Sequence, residues 1–130
     1  VYSEQYINSI AVEAKLVIDL AKTVIYPAAL KYASELATTF TAVESLGASF
    51  DATQVKVIAE NANLLLATVG ELSAELERHD FADTKAHMEH CATVIRPLME
   101  KARGYADTLE TEVDDAAWPL PKYRELLFIK

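Results

Sequence analysis

The stretch SEQYINSIAVEAKLVIDLAKTVIYPAALKYASELATTFTAVESL, residues 3–46, decides how the rest of the chain is read. Apolar residues recur at Ile7, Ile10, Ala14, Val17, Ala21, Val24 and Ala28, in alternating steps of three and four. That spacing is a heptad seam, by which one helix buries a stripe against partners. After Pro27 the stripe slips by one residue and resumes at Tyr32, Leu36, Phe40 and Val43. At 1.5 Å per residue such a helix is roughly 60 Å long, too long to stand in water alone. The remaining chain is therefore expected to cover it. Ser3 is a candidate cap, with Tyr2 and Ile7 placed as a hydrophobic staple. Gly47 follows the last apolar residue, where glycine accepts the left-handed conformation that closes a helix.

A second helix is predicted over about 51–78. Asp51 can cap it, Gln54 completes a capping box, and Phe50 and Val55 form a staple. Its seam runs Val55, Ile58, Ala62, Leu65, Val69, Leu72 and Leu76, and the cations Arg78 and His79 fall at its negative end. Almost no loop separates it from the next helix. Asp80 or Asp83 can cap a third helix over about 81–113, with a seam of Met88, Cys91, Ile95, Leu98, Ala102, Tyr105 and Leu109. Three matching seams joined by short turns predict an all-α domain spanning 1–130, an up-down-up antiparallel bundle of three long helices.

One internal echo stands out. Thr23-Val-Ile-Tyr-Pro27 reappears as Thr93-Val-Ile-Arg-Pro97. Each proline removes an amide donor and crowds the carbonyl four residues back, so both helices are expected to be kinked, at a similar level of the bundle. Chance similarity between two alanine-rich helices is the competing explanation.

The tail, 114–130, changes character. Trp118-Pro-Leu-Pro121 stops the third helix, and Pro121 can open a short final helix. Trp118, Leu120, Tyr123, Leu126, Leu127 and Phe128 concentrate apolar area there, and left in water they would form a sticky patch. They are predicted to dock, either into a groove of the bundle or on another part of a larger protein.

Charge and composition exclude more than they assign. A net charge of −8 argues against nucleic acid and against an anionic membrane surface. No run approaches the roughly 18 apolar residues of a membrane span. The single cysteine, Cys91, cannot form an internal disulfide, which fits a reducing, cytoplasmic setting. The start, Val1-Tyr2-Ser3, has no initiating methionine, so the chain reads as a fragment of a longer protein.

Asp83, His87, His90 and Cys91 form the densest polar cluster, at spacings seen among metal ligands. Di-iron bundles need Glu-x-x-His from two helices, and position 87 is a histidine. Counted from the Met88 seam, His90 points outward and Cys91 inward. A metal site is thus disfavoured against solvated histidines and a buried, inert thiol. Gly47, Gly70 and Gly104 are isolated, so no phosphate loop exists, and no nucleophile motif such as G-x-S-x-G occurs. Glu60, Glu71, Glu75 and Glu77 read as a solvated face. Asn61 and Asn63 flank the seam residue Ala62 and would fix register if partly buried, with solvent exposure the favoured reading. No catalytic, cofactor-binding or metal residue is assigned.

At the carboxyl end, Trp118-Pro-Leu-Pro-Lys-Tyr-Arg-Glu-Leu-Leu-Phe-Ile-Lys130 resembles the terminus of the type III glutamine synthetases, the large bacterial form of that enzyme. Val12-Glu-Ala-Lys-Leu-Val-Ile-Asp-Leu-Ala-Lys22, followed by Ile25-Tyr-Pro-Ala-Ala29, is similar to the helix after that family's catalytic domain. Ile95-Arg-Pro-Leu98 adds a looser match. The resemblance implies a parent that condenses glutamate with ammonia using ATP and magnesium or manganese, with every catalytic residue upstream of Val1. This chain would then be a non-catalytic C-terminal domain serving architecture or assembly. Its partners would be the catalytic domain of the same chain and neighbouring subunits. A free-standing helical interaction module is the alternative, and a metal-dependent bundle enzyme a third class.

Overall fold

The computed structural model describes residues 2–49 and 51–113, and among them every regular element is helical. Helix α1 (2–44) is made of Tyr2–Leu20, a wider π turn at Ala21–Ile25, and Tyr26–Glu44. Helix α2 is Thr53–Leu76. Helix α3 (84–112) repeats the plan of α1, with Thr84–His90, a π turn at Cys91–Ile95, and Arg96–Glu112. None of these helices is long and apolar enough to cross a membrane.

The helix ends follow local chemistry, with two departures from expectation. Gly47 adopts φ +90°, and its amide and that of Leu46 return to the carbonyls of Glu44 and Val43, both at 3.0 Å. Asp83 takes an extended conformation, and its Oδ1 accepts the Ala86 amide at 2.8 Å, so it caps α3 as its position suggests. At the start of α2, however, Asp51 Oδ1 accepts from the amide and hydroxyl of Thr53, not from Gln54. Gln54 Nε2 instead donates to the Glu112 carbonyl at 2.9 Å, tying the first turn of α2 to the last turn of α3. The capping box does not close: Asp51 accepts from Thr53 in place of the Gln54 amide, and the Gln54 side chain is turned to an orphan carbonyl at the end of α3. Ser3 lies inside α1 and Tyr2 is exposed, so the expected cap and staple do not form. Phe50, the other expected staple residue, lies outside the described residues.

Two clusters make the core. One gathers Ile10 and Ala14 with Leu72, Cys91, Ile95 and Met99. The other gathers Ala21, Ile25, Ala29 and Ala33 with Ile58, Ala62, Leu65, Val69, Ala102 and Leu109. The first half of α1 therefore meets the end of α2 and the start of α3. Its second half meets the start of α2. The α2 seam is buried from Ile58 to Leu72 as expected, joined by Thr68.

The sequence echo has a structural counterpart. Both π turns end two residues before the proline, and in each the residue before the proline donates its amide five residues back, Tyr26 to Ala21 and Arg96 to Cys91. In both, the threonine four residues before the proline donates its hydroxyl to the carbonyl four residues back, Thr23 to Asp19 and Thr93 to Glu89, at 2.7 Å each. π turns are rare, well under 1% of residues, so two at matching positions are not coincidence. A wider turn makes room for a proline ring that would otherwise press on the carbonyl four residues back.

The extra residue also moves the seam. It slips within 21–25 rather than after Pro27, so Ile25 and Ala29 are buried while Val24 and Ala28 are only half-buried. In α3 the same shift brings in Met99 and leaves Leu98 half-buried. The π turn of α1 packs in the cluster with Ile58 and Leu65, and that of α3 in the cluster with Ile10 and Leu72.

Candidate functional site

The polar residues singled out in the sequence converge where α2 passes into α3. Glu75 occupies the last turn of α2, and Arg78 and Asp80 lie just beyond it. Arg78 bridges the two carboxylates, with Nη1 3.3 Å from Glu75 Oε1 and Nε 3.2 Å from Asp80 Oδ1. Across the turn, His90 Nε2 lies 2.9 Å from the same Glu75 oxygen. A carboxylate only accepts, so that nitrogen carries the proton and donates. The His90 bond, then the Arg78 bond, hold the Glu75 carboxyl below its ordinary value. Arg78 likewise lowers Asp80.

His90 is thus not the outward histidine that helical counting suggests: it is 8% exposed. The reason lies in the connecting segment. Phe81 folds over the start of α3, stacking on His87 at 4.4 Å between ring centroids and tilting on His90 at 4.8 Å. The guanidinium of Arg78 sits 5.6 Å above the same ring. The two histidines are therefore covered by an aromatic from outside the helix, which no count along the helix could reveal.

Cys91 is buried as expected, and burial pushes its thiol up, away from the thiolate that nucleophilic chemistry requires. Asp83 is used as the cap and His87 is engaged with Phe81. Among the described residues no three of His, Cys, Asp and Glu are placed to hold a metal ion. Asn61 is half-buried, its Nδ2 donating to the Val57 carbonyl at 2.9 Å, whereas Asn63 is exposed.

Beside this cluster a cavity of about 220 Å³ opens between the starts of α1 and α3, with Asn8, Lys15, Glu75, Arg78 and His87 among its walls. Chemically the cluster is a hydrogen-bonded acid–base pair without an adjacent nucleophile. Its role in the fold is mechanical: it pins α2 to α3 at their shared turn. The apolar tail residues Trp118, Leu120, Tyr123, Leu126, Leu127 and Phe128 lie outside the described residues.

Glu75, Phe81 and Gln54 are the side chains whose roles sequence reasoning misses. Glu75 and His90 are fifteen residues apart, and only the register of α2 against α3 pairs them. Gln54 stands out in the sequence for a local role, while its actual partner is a tertiary one.

Residues 1–44, which correspond to α1, match the glutamine synthetase C-terminal domain family. The chain is 29% identical to a glutamine synthetase of Bacteroides fragilis (strain YCH46), over 98% of this chain and 19% of that relative. It is 27% identical to a type-3 glutamine synthetase of Dictyostelium discoideum, over 98% of this chain and 18% of the relative. The chain thus spans less than a fifth of the length of these relatives.

Proposed function

We propose, from the match of this chain to the C-terminal part of glutamine synthetase, that it works as a non-catalytic accessory and assembly domain of such an enzyme. The observation that carries the reading is the coverage: nearly the whole chain aligns while most of each relative lies elsewhere. The parent would be a bacterial, cytoplasmic ATP-dependent glutamate–ammonia ligase of nitrogen assimilation, using magnesium or manganese at sites outside these 130 residues. The three helices would form an up-down-up antiparallel bundle, bent at the two π turns. The Gln54 to Glu112 bond and the grouping of Ile10 and Ala14 with Leu72 and Cys91 support that topology.

The catalytic part of the same chain is the first partner, and neighbouring subunits the second. Val12 and Leu16, one turn apart on α1, are 68% and 57% exposed and offer an apolar contact for either. The test is deletion of this region from the full-length enzyme, reading activity and assembly together. Loss of oligomers with residual ligase activity is the expected result. Unchanged oligomers would remove the assembly role. A reading frame that starts just before Val1 would leave a free-standing interaction module in its place.

A further inference from the structure

The two halves of α1 are covered unequally. Residues 2–20 pack against both α2 and α3, whereas Tyr26–Glu44 packs against α2 and makes almost no contact with Arg96–Glu112. At that end the core is edged by Tyr32 and Leu36 of α1, Val55 of α2, and Tyr105 and Ala106 of α3, all half-buried. The chain leaves α3 at the same end. Val113 is 3% exposed with φ −90° and ψ 139°, and its neighbour Glu112 is held to Gln54 at the start of α2. Extended backbone at this buried residue ends the helix and takes the chain off its axis.

We propose that the furrow between the second half of α1 and the second half of α3 is the docking site for this chain's own carboxyl-terminal segment, 114–130. Its length suffices: 17 residues reach about 56 Å when extended, at roughly 3.3 Å each. Its chemistry fits as well. Trp118, Leu120, Leu126, Leu127 and Phe128 are apolar, and the edge they would meet is aromatic and aliphatic. The segment then serves as the missing side of the core at the end where α3 does not reach α1. This inference stands on packing alone and does not depend on the proposed enzyme.

Trp118 is the only tryptophan, so its fluorescence reports on the segment directly. In the full 130-residue chain, acrylamide quenching of Trp118 is expected to be several-fold weaker than for a free tryptophan amide, at every protein concentration. Ala106→Glu, at the edge of the furrow, should restore free quenching while helicity by circular dichroism is retained. Val12→Asp, on the first half of α1, should not. A second measurement does not depend on any bundle variant folding. Replacing Leu126 and Leu127 together with serine should raise deuterium uptake several-fold across 29–40 and 102–110, and leave 7–18 and 86–95 unchanged. Free quenching in the parent chain, protection that appears only as concentration rises, or altered uptake confined to 7–18 would each overturn the proposal. The first outcome means an undocked segment, the second docking on another copy, and the third a different site.

Discussion

The two Thr-Val-Ile-x-Pro segments share one backbone and differ in what they carry. Around Pro27, the buried positions are Ala21, Ile25 and Ala29; around Pro97, they are Cys91, Ile95 and Met99. Both segments place a π turn before the proline and bond the threonine hydroxyl back to the preceding turn. The shared letters therefore determine a backbone device, while the flanking residues determine how much volume it presents to its neighbours. Small alanines flank the buried isoleucine in the first segment, whereas the larger cysteine and methionine flank it in the second.

Large-to-small changes at the shared isoleucine should separate the two most sharply. Ile95 is 1% exposed and Ile25 8%, and each loss to alanine is expected to cost about 2–5 kcal/mol, with Ile95 at the upper end. Urea midpoints measure both, and equal costs would break the distinction between the segments. Next comes the position two residues after each proline. Ala29→Met imposes on α1 the side chain that α3 carries at Met99, and overpacking a residue that is 0% exposed should cost about 1–3 kcal/mol. A neutral result would mean that the alanine-rich end has slack.

The prolines themselves should matter less than their place in a helix suggests. An interior proline ordinarily costs about 3 kcal/mol, but the wider turn has already relieved the clash. Pro27→Ala and Pro97→Ala are therefore expected to change stability by less than about 1 kcal/mol, read again from urea midpoints. A gain of the full amount in either would show that its π turn relieves nothing.

The smallest effect belongs to the acid limb. Glu75 is held below its ordinary value of 4.5, first by His90 and then by Arg78, so its contribution is present above that pH and lost as pH falls through the lowered value. Glu75→Gln should flatten stability against pH in that window alone, as thermal melts at stepped pH would show. An unchanged slope there would mean that the His90 contact is not felt thermodynamically.

Much of the fold is written as periodicity, because a repeating seam needs only residue type and spacing. Ile58, Ala62, Leu65, Val69 and Leu72 can be named as core from spacing alone, and all are buried. Asp83 is legible as a cap and Gly47 as a terminator for the same local reason. Anything that changes helical phase or depends on register escapes such a reading. Met99 is invisible to it because a π turn adds a residue that no 3.5-residue count anticipates. His90 counts as outward because its cover, Phe81, comes from a different element. Gln54 suggests a local partner because the tertiary one, Glu112, is 58 residues away. The tail is legible as apolar, but its destination is a question of shape.

A π turn holds one residue more than the helix around it requires, and each residue turns the helix by about 100°. Everything beyond Ile25 is consequently rotated, as a unit, against everything before Ala21. Like two lobes keyed at different angles on a camshaft, the halves of a single rod can face different neighbours. Removing the exposed Lys22 would re-time the shaft, turning Ala29 and Ala33 away from α2 without deleting any buried side chain.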